Sequence, residues 1–383
     1  MAMESQDTPY LPQEIITNIL KRLPVKSQIR FQCVCKDWKN VMKAPFFIQE
    51  HLNHSTDQNP FLLFRWGSDT RYCRLALILQ NLETQVLEFL DPPMTSYSQI
   101  VNCSNGLVCI ENYNSCYYFL LWNPATREVR QVSGALHDLD RGDRFLTSYF
   151  LGFGFSQLAN DYKIVRIFVS VDDDEVDKVE VYSLNTDSWK EVNAWNFEHV
   201  VFRKRNTPTV TVNGAIFWHG LKYGTTDLHV IISFDIALEE FALIPYPPVR
   251  RPYDCCLSVY ENKLAMVSFQ KINIGHFIFS WLDLWVMEES PNESGDQRLG
   301  WIKRYSSNLY PCWLCPVTIW RNEIVCDIFP EIIEGDDEEN VGTKIVLCNI
   351  TTNEFKMSHI RIKFFPQEIY NYAESLVPVH YPS

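Results

Sequence analysis

Cys312 and Cys315 are separated by two residues, the spacing of half a zinc site or of a redox pair. No second cysteine pair follows at matching spacing and no histidine pair lies nearby, so a closed tetrahedral ligand set is incomplete. Cys255 and Cys256 are adjacent, and neighbours on a strand face opposite sides. The nine histidines stand apart from one another, with no His-Glu-x-x-His and no Ser, His and Asp in a recognisable setting. Gly152-Phe153-Gly154 lacks the third glycine of a phosphate-cradling loop. The acidic runs Asp172–Glu175 and Glu334 with Asp336–Glu339 lack the alternating ligand spacing of a calcium loop and read as solvated hairpin tips. Arg203-Lys204-Arg205 is a basic island in an acidic region; Arg203, Lys204 and Arg205 are the sequence's candidates for contacting an acidic partner. No metal, no cofactor and no catalytic residue is expected.

The elements that must position these residues are bounded by composition. The chain has 383 residues, 46% hydrophobic and 21% charged, which excludes wholesale disorder. Eleven Trp, 18 Tyr and 24 Phe lean toward half-buried pleated surfaces. A net charge of -13 argues against nucleic acid or an anionic membrane as partner, since phosphate contacts need clustered cations. No apolar run approaches the ~20 residues that span a bilayer, and residues 1–10 lack a signal peptide's apolar segment. A cytoplasmic or nuclear location follows as the expectation, with the 12 cysteines mostly reduced and several buried as small hydrophobes.

The first 60 residues carry seven cations and six acids, so the acidity belongs to the remainder. The pattern changes at the same place, from helical to strand-like. Ile15, Ile16, Ile19, Leu20 and Leu23 recur at helical spacing. Pro12 opens this helix and Pro24 stops it. Ser27 serves as N-cap of a second short helix, and a third begins near Cys35 and ends before Pro45. Three short helices bury little surface by themselves, so part of their apolar surface must be covered by the rest of the chain or by a partner.

The runs Leu11-Pro12-Gln13-Glu14-Ile15-Ile16, Ile19-Leu20-Lys21-Arg22-Leu23-Pro24-Val25-Lys26-Ser27 and Arg30-Phe31-Gln32-Cys33-Val34-Cys35-Lys36-Asp37-Trp38 together resemble an F-box, over roughly residues 9–52. The resemblance implies docking onto the Skp-type adaptor of a cullin–RING ubiquitin ligase. The family's adaptor-contacting positions would then fall on Leu11, Pro12, Ile15, Ile16, Ile19, Leu20, Leu23, Pro24, Val25, Ser27, Phe31, Val34, Cys35 and Trp38.

Beyond residue 60 a unit of strand, short polar turn and strand recurs. Copies include Leu121-Trp122-Asn123-Pro124-Ala125-Thr126, Val181-Tyr182-Ser183-Leu184-Asn185-Thr186-Asp187 and Val346-Leu347-Cys348-Asn349-Ile350-Thr351-Thr352-Asn353. From Asn81 to Asn349 the spacing is about 54 residues, near the kelch-type period. A second marker, a tight turn before an apolar strand, appears at Asn105-Gly106, Asn213-Gly214, Glu261-Asn262 and Arg321-Asn322, and Asn-Gly accepts the positive φ of a hairpin. Six copies of the unit predict a six-bladed β-propeller. Ala373–Val379 is expected as a final strand completing the first blade beside Phe61–Phe64, since an open ring would leave sheet edges exposed. Asn102-Cys103-Ser104-Asn105-Gly106-Leu107, Trp122-Asn123-Pro124-Ala125-Thr126 and Gly152-Phe153-Gly154-Phe155 with Asp161-Tyr162-Lys163 resemble the F-box-associated, kelch-like domain of plant F-box proteins.

The expected architecture is α+β multidomain: an F-box at 1–52, a linker at 53–60 and an all-β propeller at 61–383. The expected role is a non-catalytic receptor that holds a target protein near a ubiquitin-loaded enzyme. A propeller that binds a glycan or small molecule, and a propeller enzyme, remain as alternatives. A deep pocket of titratable groups would favour the enzyme.

Overall fold

A computed structural model describes residues 11–58, 60–66, 74–78, 87–95, 97–113, 117–134, 147–170, 174–193, 195, 197–203, 209–249, 254–275, 277–291, 297–328, 343–362 and 369–380. It opens with four helices: α1 Gln13–Lys21, α2 Val25–Phe31, α3 Lys36–Lys43 and α4 Pro45–Gln58. The fourth goes beyond the three that the sequence pattern suggests. Pro45 lacks an N–H that a first-turn residue does not use, so it begins α4 instead of merely ending α3. The helix continues through 53–58, where the sequence suggested a linker. Ser27 lies inside α2 and does not cap it; α2 follows directly on extended Pro24. Cys35 caps α3, its sulfur accepting the Trp38 N–H at 3.4 Å.

All strands follow. The first blade holds β1 Phe61–Trp66, β2 Arg74–Ile78 and β3 Leu87–Leu90; the second holds β4 Ser98–Ser104, β5 Leu107–Asn112, β6 Tyr118–Asn123 and β7 Glu128–Ser133. The third holds β8 Thr147–Ser156, β9 Asp161–Ser170, β10 Val176–Ser183 and β11 Ser188–Glu191. In the fourth, β12 Val200–Phe202 and β13 Val210–Val212 share one edge of β14 Ala215–Lys222, followed by β15 Leu228–Asp235 and β16 Glu240–Pro245. The fifth holds β17 Cys255–Tyr260, β18 Lys263–Ile274, β19 Phe277–Pro291 and β20 Gln297–Ser306. The sixth holds β21 Leu314–Trp320, β22 Glu323–Ile328, β23 Thr343–Asn349 and β24 Phe355–Ile362, before β25 Ile369–Tyr372. The described strands form six sheets, as the six sequence copies require, and pair antiparallel within each.

Both turn markers do what their residues allow. Asn105 and Gly106 have φ of 45° and 79°, and Asn213 and Gly214 have 51° and 75°, the left-handed pair that a two-residue hairpin requires. In the outer turns an Asx side chain bonds ahead. Asp235 Oδ1 accepts the N–H groups of Ala237 and Leu238, both at 2.8 Å, and Asn349 Oδ1 those of Thr351 and Thr352, both at 2.9 Å. The turn then leaves through a residue at positive φ: Arg127, Asp187, Glu239 or Asn353.

Adjacent blades are tied by apolar clusters and by donors that reach across. Trp189 donates its indole N–H to Ser133 O at 3.0 Å, and Trp301 donates to Pro245 O at 2.8 Å, each reaching back 56 residues to the preceding blade. Elsewhere between blades, Asn102 and Thr211 both donate to Phe153 O, Ile319 N–H donates to Ser258 Oγ, and Asn371 donates to Ile319 O.

The ring closes through β25, which pairs with β1 in the register Phe61↔Tyr372 to Phe64↔Ile369 and packs against β4 and β21. The closing strand is therefore 369–372 and not 373–379, which carries no ladder. Residues 373–379 are instead held by the β6–β7 turn, where the Asn123 side chain takes their carbonyls. Ile369, Tyr370 and Tyr372 are buried, as are Leu376 and Val379 after them. At about 1.5–3 kcal/mol per buried large side chain, deleting residues 369–383 removes stabilisation comparable with the net stability of a whole domain, about 5–15 kcal/mol. The truncated chain should lose its cooperative calorimetric transition; melting alongside the parent would show that β25 does not close the ring.

Candidate protein-docking interface

The helices place two apolar stripes on opposite sides of α1. Ile16, Leu20 and Leu23 turn inward and meet Val25, Phe31, Trp38, Met42 and Phe47. Ile15 and Ile19 turn outward, 46% and 49% exposed, in line with exposed Leu11. The α2–α3 turn adds exposed Val34, α2 adds Ile29 and the start of α4 adds Phe46. Isolated exposed aliphatics are ordinary, but six large apolar side chains around one small helical unit make a surface suited to a protein partner.

The fourteen positions suggested from the sequence divide accordingly. Leu11, Pro12, Ile15, Ile19, Pro24, Val34 and Cys35 are exposed or nearly so; Ile16, Leu23, Ser27, Phe31 and Trp38 lie nearer the core side or along its margin. Leu20 and Val25 do not belong to a docking face: they are 1% and 0% exposed and form the domain's core. Phe46 and Ile29 belong to the exposed group without being among the fourteen. Two polar residues hold the core: Gln28, which the sequence pattern does not single out, and His51, which with Phe46 and Phe47 resembles the usual exit of an F-box. Gln28, fully buried, donates to Leu20 O and Leu23 O, each at 2.9 Å. His51 Nε2 donates to Leu23 O at 3.3 Å, and burial holds its pKa below the ordinary value.

The helical domain is joined to the propeller by residues 373–379. Leu376 enters the helical core beside Leu20, Val25, Met42 and Phe47, with Ala125 of the second blade packed alongside. Glu374 Oε2 accepts the Val25 N–H at 3.1 Å, at the start of α2. Asn123 anchors the segment from the propeller side, its Nδ2 donating to Ser375 O at 2.9 Å and Val377 O at 2.8 Å. The same side chain's Oδ1 accepts from Ala125 and Thr126, organising the turn. Gly106 is required for this passage: a Cβ there would sit 2.1 Å from Ser375 Cβ.

A cavity of about 1490 Å³ is ringed by β4, β8, β13, β17, β21 and β25 and bounded at one end by α4 residues Gln49, Leu52, Asn53, Thr56 and Asp57. Its polar wall includes Asn102, Thr211, Ser258, Thr318 and Asn371, whose hydrogen bonds go to neighbouring blades. The charged side chains that line it are Asp57, Glu261 and Arg321. Because strands alternate in direction, the β4–β5 and β6–β7 turns share the α4 end, and the end of β5, the start of β6 and the end of β7 lie at the other, the connection end.

The remaining sequence candidates do not converge. Cys312 and Cys315 are not joined in a disulfide, and no group of three or more metal-ligating side chains occurs among the described residues. Cys255 and Cys256 pack into different clusters. Arg203 is exposed and donates to the Tyr223 hydroxyl at 3.3 Å; Lys204 and Arg205 lie outside the described residues, as do Asp172, Asp173, Glu334 and Asp336–Glu339. The most perturbed carboxyl among the described residues is Asp327 on β22, buried with Oδ1 unpartnered among the described atoms, and burial pushes it up to about 8.

Residues 9–49 match the F-box domain and residues 71–379 match the F-box associated beta propeller domain. The chain belongs to the F-box-associated β-propeller family. Among its relatives are F-box protein CPR1 of Arabidopsis thaliana, 24% identical over 96% of this chain and 87% of that one, and F-box/kelch-repeat protein At3g23880 of the same plant, 26% identical over 79% and 82%. The propeller domain of the Trilobed protease from Pyrococcus furiosus overlays 68% of this chain and 71% of that chain, with 13% identity and a TM-score of 0.34, too distant to carry an argument.

Two substitutions test this account of the F-box and its support. Asn123→Asp keeps the turn's acceptor but deletes both donors to residues 375–377. Two buried carbonyls then face a carboxylate, at about 1–3 kcal/mol each, so protease cleavage within 373–380 should accelerate at least ten-fold over the parent; unchanged cleavage would deny Asn123 its anchoring role. Asp327→Asn tests burial strain. Between about 3.9, the free carboxyl value, and about 8, folded Asp327 holds a proton that the unfolded chain has released. The parent therefore loses stability as pH rises through that window, whereas the Asp327→Asn chain has no proton to release at this position. The gain in melting temperature should be larger at pH 8 than at pH 5; equal gains would exonerate the carboxylate.

Proposed function

We propose that this chain is the target-recognition subunit of an SCF-type cullin–RING ubiquitin ligase, docking through its F-box on a Skp-type adaptor and presenting a target protein with its propeller. One observation carries the reading: the exposed stripe of Leu11, Ile15 and Ile19 belongs to a helical unit fixed at the turn end of the propeller, so that the opposite end of the ring is left clear of it. A bridge between two partners needs that separation. Covalent chemistry is not required of this chain; its contribution is proximity, converting an encounter between enzyme and target lysine into a local one. The axial cavity supports recognition over catalysis, because its neutral polar groups are engaged between blades. A cytoplasmic or nuclear site of action accords with such a ligase.

The docking test uses Ile15→Asp with Ile19→Asp. Each places a charge in an apolar contact, costing several kcal/mol if the stripe is covered, whereas in the free chain both positions meet water. Adaptor affinity measured by calorimetry should fall at least 100-fold with an unchanged melting temperature. Leu20→Asp should instead unfold the helical core, which makes it a control for structure and not for docking. In cells, proteins that accumulate with the Ile15→Asp/Ile19→Asp chain and decay with the parent are the targets. Full adaptor affinity in the double variant would refute the F-box assignment of this face.

A further inference from the structure

The fifth blade has a feature that neither ring closure nor adaptor docking uses. β18 and β19 run on past β17 at the connection end of the propeller. β17 ends its pairing at Cys255↔Ser268, but β18 and β19 continue from Phe269↔Leu282 to Ile274↔Phe277. Phe269 N–H still donates to Asp254 O at 2.9 Å; beyond it, no described strand pairs with the free edge of β18. The result is a projecting ribbon, turned at Gly275 with φ of 64° and no atom within 4 Å of a Cβ built there; Tyr310 still bridges β19 at Ser280, and beyond that point the ribbon is two-stranded among the described residues.

Register assigns its faces. Phe269 and Leu282 face the core shared with the sixth blade, and Lys271 on the same side lays its ammonium over the Trp313 ring, 4.0 Å from the centroid. The opposite face carries Ile272 and Ile274 on β18, 39% and 52% exposed, beside half-buried Phe279 and Trp281 on β19. β-Branched and aromatic residues on an uncovered face, next to an open edge, are what soluble sheets ordinarily avoid. A two-stranded ribbon is also marginal until a further strand or surface covers it.

We infer that the edge of β18 at Gln270–Ile274, unpaired among the described residues, receives an extended segment of the target protein as an added strand, with aliphatic side chains at alternate positions covering Ile272 and Ile274 and acidic side chains near Lys271. This rests on the reading of the chain as a target receptor. The ladder groups of an open edge select an extended backbone, and pockets for alternate side chains select sequence. The charge preference follows from Lys271, which has no carboxylate partner among the described residues, in a ribbon with no acid from Phe269 to Leu282. A second copy of this chain is a poorer occupant, because each copy carries a net charge of -13.

Random ten-residue peptides displayed on phage and panned against the full-length chain test the inference without a known target. Enriched peptides should alternate aliphatic residues with at least one acid, and N-methylation of alternate backbone amides should abolish binding. Affinity should fall at least ten-fold for Ile272→Asp/Ile274→Asp, and Lys271→Glu, which leaves the apolar face intact, should shift selection from acidic to basic peptides. Should the double variant misfold, the Lys271→Glu shift decides alone. Enrichment of helical or unpatterned peptides, equal binding to the variants, no enrichment, or a concentration-dependent dimer abolished by Ile272→Asp/Ile274→Asp would each overturn the proposal. Adaptor affinity, measured on the same preparations, reports separately on the F-box reading.

Discussion

Ring closure is the constraint on which the rest depends. Six sheets arranged about an axis are stable only if the first and last meet, since an unjoined blade would expose both a ladder edge and the apolar side chains of Leu62, Leu63 and Phe64. The chain meets this by sending its last strand back to its first, so that Tyr372 becomes the neighbour of Phe61. Having arrived there, the backbone emerges at the turn end beside Asn123 and Gly106. Its continuation then reaches the helices. Closure and attachment of the F-box are therefore consecutive uses of one segment, 369–379.

That coupling gives the helical domain a defined place. Four short helices enclose a small core, and Leu376 and Ala125 supply part of its packing from the propeller. Glu374 at the Val25 N–H adds a directional bond to the non-directional apolar contact. A receptor that works by proximity depends on the distance and angle between its two docking ends, and loss of such order is costly even when both ends still bind. A flexible tether would supply concentration but not orientation. The packed core around Leu376 supplies both.

How much of this is legible in the sequence depends on whether the determinant is local. Asn105-Gly106 and Asn213-Gly214 reveal their hairpins because the required φ values restrict the residue types, and the Asx positions Asp235 and Asn349 repeat at readable intervals. The closing strand lies just upstream of its expected place: Ala373–Val379 is the strand the pattern suggests, and only pairing with β1 picks out Ile369-Tyr370-Asn371-Tyr372 instead. The adaptor set fails at Leu20 and Val25 for a different reason. Ile15, Ile16, Ile19, Leu20 and Leu23 span too much of the helix to face one way. Positions 15 and 19 share one side, and 16, 20 and 23 the other, so the stripe itself contains the division between surface and core. Gln28 gives no signal, because a glutamine whose amide satisfies two helix-end carbonyls looks like any exposed glutamine until its neighbours are placed.

Hydrogen-bond satisfaction separates the propeller's two candidate surfaces. Along the axis, Asn102, Thr211, Ser258 and Asn371 look like ligand-binding groups by type. Their donors and acceptors are engaged between blades, and displacing them would cost the ring its inner ties. At the connection end the ladder groups of β18 past Phe269 and the side chains of Ile272 and Ile274 carry no such duty among the described residues. A fold that commits its inner polar residues to closure leaves recognition to what projects beyond the closed ring. The longest such projection from the described strands is built on β18 and β19. Ile272 and Ile274 lie past the last pair of β17 with β18 and on the face turned away from the sixth blade, so packing within the ring does not fix their identity.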